Sequence, residues 1–216
     1  MGALTFLLST GGVVIWPLLG CSILAVAIIF ERSLFWRKIS VNYPKLVNHF
    51  YTLFERDPNL AIAFLQRQSH LPLARIFLAA LLLKYPNPEK FRLALETAAK
   101  AEIPLLKRFN NLFDTIISVA PLLGLLGTVL GLITSLGALR LGEIATTESS
   151  QVTAGIGEAL TSTAAGLVIA ITTLLFANLF RGLYLRQIAL IDEYGGQLEL
   201  LYLQQHDPGV QSDAST

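Results

Sequence analysis

Residues 120–131 read APLLGLLGTVLG, and they lie within a run, residues 112–139, whose only charged side chain is Asp114. As an α-helix this run would be about 42 Å long, more than the roughly 30 Å of a bilayer's hydrocarbon core. Gly124, Gly127 and Gly131 recur at three- and four-residue spacing, which lets helix backbones approach closely in lipid. The stretch therefore predicts a membrane-spanning helix that packs tightly against another helix.

Two further apolar runs flank this one. Residues 12–30 carry no charge, and residues 152–180 carry only Glu158. A cleaved signal peptide is the competing interpretation of the first run, because residues 18–21 resemble a lipoprotein cleavage site. However, residues 1–11 contain no Lys or Arg, and the apolar run continues past Cys21, which favours a membrane helix. We therefore expect three spans, in a chain that is 53% hydrophobic and only 14% charged.

The basic residues predict how these spans are oriented. Of the 16 Lys and Arg residues, 13 lie between residues 32 and 108, and two more follow residue 180. Cytoplasmic segments beside membrane helices are enriched in Lys and Arg. We therefore expect the N-terminal segment 1–11 and the turn 140–151 to lie outside. The connection 31–111 and the segment 181–206 are then cytoplasmic.

The cytoplasmic segments are expected to be helical as well. Apolar residues at three- and four-residue spacing, interrupted by prolines, predict helices at about 43–55, 59–68, 73–84 and 89–108. The segment 181–206 should continue the third span, because its apolar residues follow a heptad-like spacing. Residues 207–216 are polar and are predicted to be disordered. The fold class is an all-α membrane protein, with spans two and three extended into the cytoplasm and a helical connection.

Polar and small residues in the second and third spans point to a functional surface. Glu158 is an ionisable group inside a span, which by default marks a functional site, although a Glu that reaches the outer interface is the alternative. Thr128 lies among the glycines of the second span, and Pro121 should kink that helix. The third span adds a row of small or hydroxylated residues. These are Gly157, Thr161, Ser162, Thr163 and Gly166.

Several classes of protein are disfavoured by the same residues. No cluster of His and Cys falls in the spans, and residues 32–111 contain no glycine for a phosphate-binding loop. We therefore expect no enzyme, cofactor, metal site or nucleic-acid ligand. A secondary transporter usually has more spans and inverted repeats. A structural oligomeric scaffold without ion conduction remains open, and in either case we expect the small-residue stripes to hold copies of the chain together.

The chain also resembles a known family. Trp16-Pro17, Phe30-Glu31-Arg32, residues 120–131 and residues 155–167 are similar to the MotA/TolQ/ExbB proton-channel family, and most similar to its ExbB-type members. The resemblance implies a homo-oligomer, a pentamer, in a bacterial inner membrane. It also implies an ExbD/TolR-type single-span partner and a TonB-like protein, with the proton motive force driving TonB-dependent transport. A TolQ-like role in envelope maintenance is the alternative.

The resemblance further implies roles for individual residues. Thr128 and Thr163 match the pore-lining hydroxyls of the family, and Glu158 matches its pore-facing Glu. No role is carried over to Asp114, and the residues leave proton and sodium both open as the conducted ion. The remaining small residues are expected to pack the helices or line the pore. These are Gly124, Gly127, Gly131, Pro121, Thr161, Ser162, Gly157 and Gly166.

Overall fold

A computed structural model of the chain describes residues 12–84, 87–139 and 145–206. Within these ranges it contains six α-helices and no β-strand, which confirms the predicted all-α class. The predicted segments 1–11 and 207–216 lie outside the described residues. The helices are α1 (Ile15–Arg56), α2 (Pro58–Arg67), α3 (Pro72–Leu81), α4 (Pro88–Leu106), α5 (Asn110–Leu139) and α6 (Ala145–His206).

Three stretches of the described chain are long and apolar enough to cross a membrane. They are Ile15–Arg56, Pro88–Gly137 and Thr153–Gln204. Each exceeds the roughly 20 residues that one crossing needs. The chain is therefore a multi-pass membrane protein with the predicted long helices.

Helix α1 also extends beyond its apolar part, because it continues through Pro44 to Arg56. A proline inside a helix removes one backbone hydrogen bond and leaves a carbonyl group without its usual donor. Both Pro44 and Ser40, which carries that carbonyl group, are exposed, so water can replace the missing donor. The separate helix predicted from residue 43 is thus the last part of α1.

Helix α6 begins earlier than the predicted third span. The turn was expected to cover residues 140–151, but residues 145–151 are already helical. Residues 140–144 lie outside the described part. The stretch 145–151 contains no Gly or Pro that would interrupt a helix. The expected turn is therefore shortened by the helix that follows it.

Helices α2 and α4 begin where the sequence provides a capping residue followed by a proline. The Asp57 side chain accepts a 2.8 Å hydrogen bond from the Asn59 backbone N–H at the start of α2. The Asn87 side chain accepts one of 2.8 Å from the Lys90 N–H at the start of α4. Such caps satisfy N–H groups that have no partner within the helix. These starts agree with the boundaries that the sequence predicted.

The chain divides into two compact units. The first, which we call the membrane unit, contains residues 1–33 and 109–180, and the second unit contains residues 34–108 and 181–216. The second unit has its own core of large, fully buried side chains. Among them are Phe50, Leu65, Leu73, Phe77, Phe91 and Leu198.

A partly buried ion pair stabilises the second unit. Nε of Arg75 donates a 2.6 Å hydrogen bond to Oε1 of Glu102, and Nη2 donates to Oε2 of the same carboxylate. The Glu102 side chain is only 9% exposed. The Tyr43 hydroxyl accepts a 3.2 Å hydrogen bond from the Leu73 N–H, and burial raises the pKa of Tyr43 above its ordinary value. This unit is therefore held by polar contacts as well as by its apolar core.

The heptad-like seam predicted at Tyr184, Ile188, Ile191, Leu198 and Tyr202 is buried at its last three positions and half-buried at the first two. The Tyr202 ring stacks on Phe91 of α4, with 4.1 Å between centroids. The spacing in the sequence thus identified the face of α6 that packs in the second unit.

Candidate functional site

In the membrane unit, α5 and α6 pack against each other backbone to backbone. A Cβ atom built on Gly166 of α6 would lie 2.5 Å from the carbonyl oxygen of Ala120 in α5. A Cβ on Gly131 of α5 would lie 2.7 Å from the carbonyl oxygen of Gly155 in α6. Contacts this short exclude any side chain at either glycine. The two helices therefore approach as closely as small residues permit, and their contacts run in the antiparallel direction.

Two serines fill the remaining space in this interface. A Cβ on Gly127 would collide with the hydroxyl of Ser162 and would lie 2.5 Å from its Cβ. A Cβ on Gly155 would collide with the hydroxyl of Ser135. Both serines are buried, with Ser162 at 0% exposure and Ser135 at 3%. Each of these two glycines therefore packs against a serine of the opposite helix.

Hydroxyl groups of α6 also bind the backbone of α5. Oγ1 of Thr163 donates a 2.9 Å hydrogen bond to the carbonyl oxygen of Gly124. The Ser162 hydroxyl lies 2.8 Å from the carbonyl oxygen of Ala159 and 3.3 Å from that of Gly124. A hydroxyl has one proton, so Ser162 shares it between these two acceptors. The interface is thus joined by hydrogen bonds as well as by close packing.

Thr128 and Pro121 lie in α5 near the glycines of this interface in sequence. Both are half-buried. Oγ1 of Thr128 donates a 2.6 Å hydrogen bond to the carbonyl oxygen of Leu125, within its own helix. Its lone pairs remain able to accept a hydrogen bond from water or another group. Thr128 is therefore placed so that a neighbouring molecule can reach its hydroxyl oxygen.

Glu158 lies on a different side of α6 from Thr163. The two positions are five residues apart, so they are about 140° apart around the helix. The Glu158 side chain is half-buried and contacts Gly12, in the turn that precedes the first helix. Gly12 has a φ of 59°, the left-handed region that glycine adopts readily. The carboxylate therefore lies against the turn that starts the first span.

The structure brings most, but not all, of the predicted site residues together. The α5/α6 interface contains Gly124, Gly127, Gly131, Ser162, Thr163 and Gly166. Gly157 has no atom within 4 Å of the place where its Cβ would be, so it takes no part in this interface. Thr161 is half-buried. The pore-lining roles of these residues and of Glu158 stay predictions.

One expectation needs correction. We assigned the glycine stripe of the second span to contacts between copies of the chain, because a monomer in lipid would leave it empty. Within one chain, however, α6 already fills it through Ser162, Ala159 and Gly155. Since a close-packed surface cannot bind a second helix, this stripe holds the hairpin together and does not by itself imply an oligomer.

Three residues of the site were missed by the sequence analysis. Ser135 lies four residues after Gly131, and this spacing would have placed its hydroxyl on the same stripe. Gly12 follows another glycine at the start of an apolar run, and such pairs are typical of turns. The contact of Val14 with Gly127, where a Cβ would lie 3.6 Å away, had no signal in the sequence.

The described residues offer no other site of comparable chemistry. Among them, no group of three or more His, Cys, Asp and Glu side chains could hold a metal ion. One concave region, with a volume of about 550 Å³, belongs to the second unit and is lined by exposed polar side chains such as Lys45 and Asn48. The α5/α6 hairpin with Glu158 is therefore the candidate site.

Comparison with known proteins agrees with this geometry. Residues 68–193 match the family model of the MotA/TolQ/ExbB proton channel family. The chain is 55% identical over 206 residues to a Synechocystis sp. protein named as ExbB-like 3, a match that covers 95% of this chain and 98% of that one. A second protein of the same organism, named as ExbB-like 1, is 41% identical over 193 residues, or 89% of this chain and 76% of its own. The biopolymer transport protein ExbB of Salmonella typhimurium is 35% identical over 127 residues, or 58% of this chain and 49% of its own.

Proposed function

The chain belongs to the MotA/TolQ/ExbB proton channel family, and on this premise we propose that it is the ion-conducting subunit of an energy-transducing motor. The motor lies in a bacterial inner membrane, with the N-terminus outside and the C-terminus in the cytoplasm. It uses the proton motive force to drive TonB-dependent transport. The subunit itself has no enzymatic activity. The names of its relatives, which describe biopolymer transport proteins, favour this role over envelope maintenance.

The observation that carries the proposal is the position of Glu158. It is the only charged residue between positions 153 and 180, and its side chain is half-exposed in a single chain. A carboxylate in an apolar helix costs about 2.5–3.5 kcal/mol at the helix centre unless water or protein surrounds it. Another subunit or a hydrated pathway would provide these surroundings. A pore between subunits, lined by the face of α6 that carries Glu158, would surround the carboxylate in this way.

The proposed assembly is a homo-oligomer, a pentamer by analogy with the family, around an ExbD/TolR-type single-span partner. A carboxylate on the partner would complete the proton path, because Glu158 has no second acidic group near it in the third span. A TonB-like protein receives the resulting motion. The available driving force is adequate, since one charge moving through 100 mV corresponds to about 2.3 kcal/mol.

A structural scaffold is the second candidate, and the hydroxyl groups favour it. Thr163 donates to the Gly124 carbonyl oxygen, and Thr128 donates to that of Leu125. Both hydroxyl protons are thus used in contacts that stabilise helices. In this alternative the two threonines serve packing alone, and no ion passes.

Proton flux into liposomes separates the two functions. The liposomes contain the chain with its single-span partner, and flux is followed with a pH-sensitive dye under an imposed potential. Glu158→Gln, Thr128→Val and Thr163→Val should each abolish flux, because they remove a carboxylate or a hydroxyl and nearly conserve shape. Thr172→Val is the matched control, since the exposed Thr172 hydroxyl makes the same kind of bond, to the Val168 carbonyl oxygen.

Assembly is measured on the same samples, by native mass spectrometry from mild detergent. The channel function predicts lost flux with normal assembly, and an unaffected Thr172→Val. The scaffold function predicts no flux even with the wild-type chain, and effects of these substitutions on assembly alone. Wild-type flux in all three variants at Glu158, Thr128 and Thr163 would refute the proposed conduction path.

A further inference from the structure

A contact between the first and third membrane helices suggests a role that the proposed function leaves unassigned. The turn of residues 12–14 leads into α1, and Gly12 closes it with a 3.3 Å hydrogen bond from the Ile15 N–H to its carbonyl oxygen. The Glu158 side chain of α6 reaches this turn. A charged group of the third span is thus placed by a residue outside the α5/α6 hairpin.

Position 12 favours glycine for two independent reasons. Its φ of 59° lies in the left-handed region, which side chains with a Cβ seldom adopt. A Cβ there would also overlap Oε1 of Glu158 and would lie 2.7 Å from Cδ and 3.4 Å from Cγ. The space that a side chain would need is therefore the space that the carboxylate occupies.

We propose that Gly12 is a positioning residue for the Glu158 carboxylate, so that the first membrane helix, and not only the second and third, sets where this charge lies. The inference rests on the proposed function for its consequence, because a displaced carboxylate would no longer stand in the ion path. The contact between Gly12 and Glu158 itself does not depend on the proposed function.

A substitution at Gly12 should move the carboxylate without unfolding the chain. The atoms that a new Cβ would meet belong to the far end of a flexible side chain, which can rotate away. Gly166 is different in this respect, since a Cβ there would meet backbone atoms. Gly12→Ala should therefore alter the surroundings of one side chain and leave the hairpin intact.

The test uses the purified full-length chain, labelled with ¹³C at the side-chain carboxyl carbon of glutamate. The Glu158 resonance is assigned by its loss in Glu158→Gln. Gly12→Ala should shift this resonance, and Gly20→Ala should not, because Gly20 lies in α1, just after that turn, and has no atom within 4 Å of its missing Cβ. Far-UV circular dichroism on the same samples should show unchanged helix content.

Gly12→Asn separates the contact from backbone strain. Asparagine tolerates the left-handed region far better than alanine, yet it also carries a Cβ. If the contact positions the carboxylate, both variants shift the resonance. If Gly12→Asn resembles the wild type, strain alone explains Gly12→Ala and the proposal is overturned.

Proton flux in liposomes with the single-span partner supplies the functional readout. Gly12→Ala and Gly12→Asn should lose most of the wild-type flux and approach the level of Glu158→Gln, and Gly20→Ala should retain it. An unshifted resonance in both Gly12 variants overturns the positioning role. Wild-type flux in Glu158→Gln, together with a shifted resonance in both variants, refutes the proposed function and leaves the contact confirmed.

Discussion

Replacing Gly166 by alanine is expected to push helices α5 and α6 apart at their closest contact. The new Cβ would lie 2.5 Å from the Ala120 carbonyl oxygen and 3.2 Å from the Cα of Gly124. Ordinary contact begins near 3.4 Å, so the shorter distance falls about 0.9 Å below it. Both neighbours are backbone atoms of a helix and cannot rotate away. The helices must therefore move apart, which stretches the hydrogen bond from Thr163 to Gly124, one turn away.

The expected loss of stability follows from these distances. Inserting one methyl group into a well-packed interior costs about 1–3 kcal/mol. Alanine has a higher helix propensity than glycine, by about 1 kcal/mol in water, and this gain opposes the loss. We therefore expect Gly166→Ala to lower the free energy of unfolding by about 0–2 kcal/mol.

Titration with sodium dodecyl sulfate in mixed micelles, followed by far-UV circular dichroism, measures this change. Gly137→Ala is the matched control, because Gly137 lies in α5 and has no atom within 4 Å of its missing Cβ. It should be neutral or slightly stabilising. If Gly166→Ala and Gly137→Ala unfold at the same detergent fraction, the close approach of the two backbones does not exist in the membrane protein.

Three further outcomes are expected. In a Cys21→Ser background, Glu148→Cys should react with an impermeant reagent added from outside. Asn48→Cys, at an exposed position, should react only from the cytoplasm. The reverse pattern would show that the chain has the opposite topology. Glu102→Ala should lower the free energy of unfolding by about 1–3 kcal/mol, less than for a fully buried pair because the Arg75 side chain is 37% exposed. Glu96→Ala removes an exposed pair with Arg92 and should change this free energy by less than about 0.5 kcal/mol. Equal effects of the two substitutions in detergent unfolding would argue against the pair of Arg75 and Glu102. Native mass spectrometry should show a closed ring of several copies, and a monomer at all protein concentrations would contradict the proposed assembly.

Much of the fold could be predicted because its signals are local. The apolar runs give the spans by length, and Asp57-Pro58 and Asn87-Pro88 mark helix starts through capping chemistry that involves only neighbouring residues. The spacing of Ile191, Leu198 and Tyr202 identified a buried face in the same way. In each case the residue pattern along one helix is enough to predict the feature.

The partners of each face could not be predicted, because they depend on which helix lies opposite. The glycines at 124, 127 and 131 predict a close neighbour equally well within the chain and between copies. Only the structure assigns them to α6. Likewise, Glu158 was recognised as an intramembrane carboxylate, but its contact with Gly12 joins residues far apart in sequence and leaves no periodic pattern.

The carbonyl oxygen of Gly124 lies within hydrogen-bonding distance of two hydroxyl groups, those of Ser162 and Thr163. This arrangement provides redundancy, since either hydroxyl can serve the carbonyl after the other is lost. Mutations at the two positions should therefore show epistasis, with a double loss more harmful than the two single losses added together. As far as stability alone is concerned, an apolar residue at one position should be tolerated only while the other keeps its hydroxyl, so that the two adjacent positions are linked.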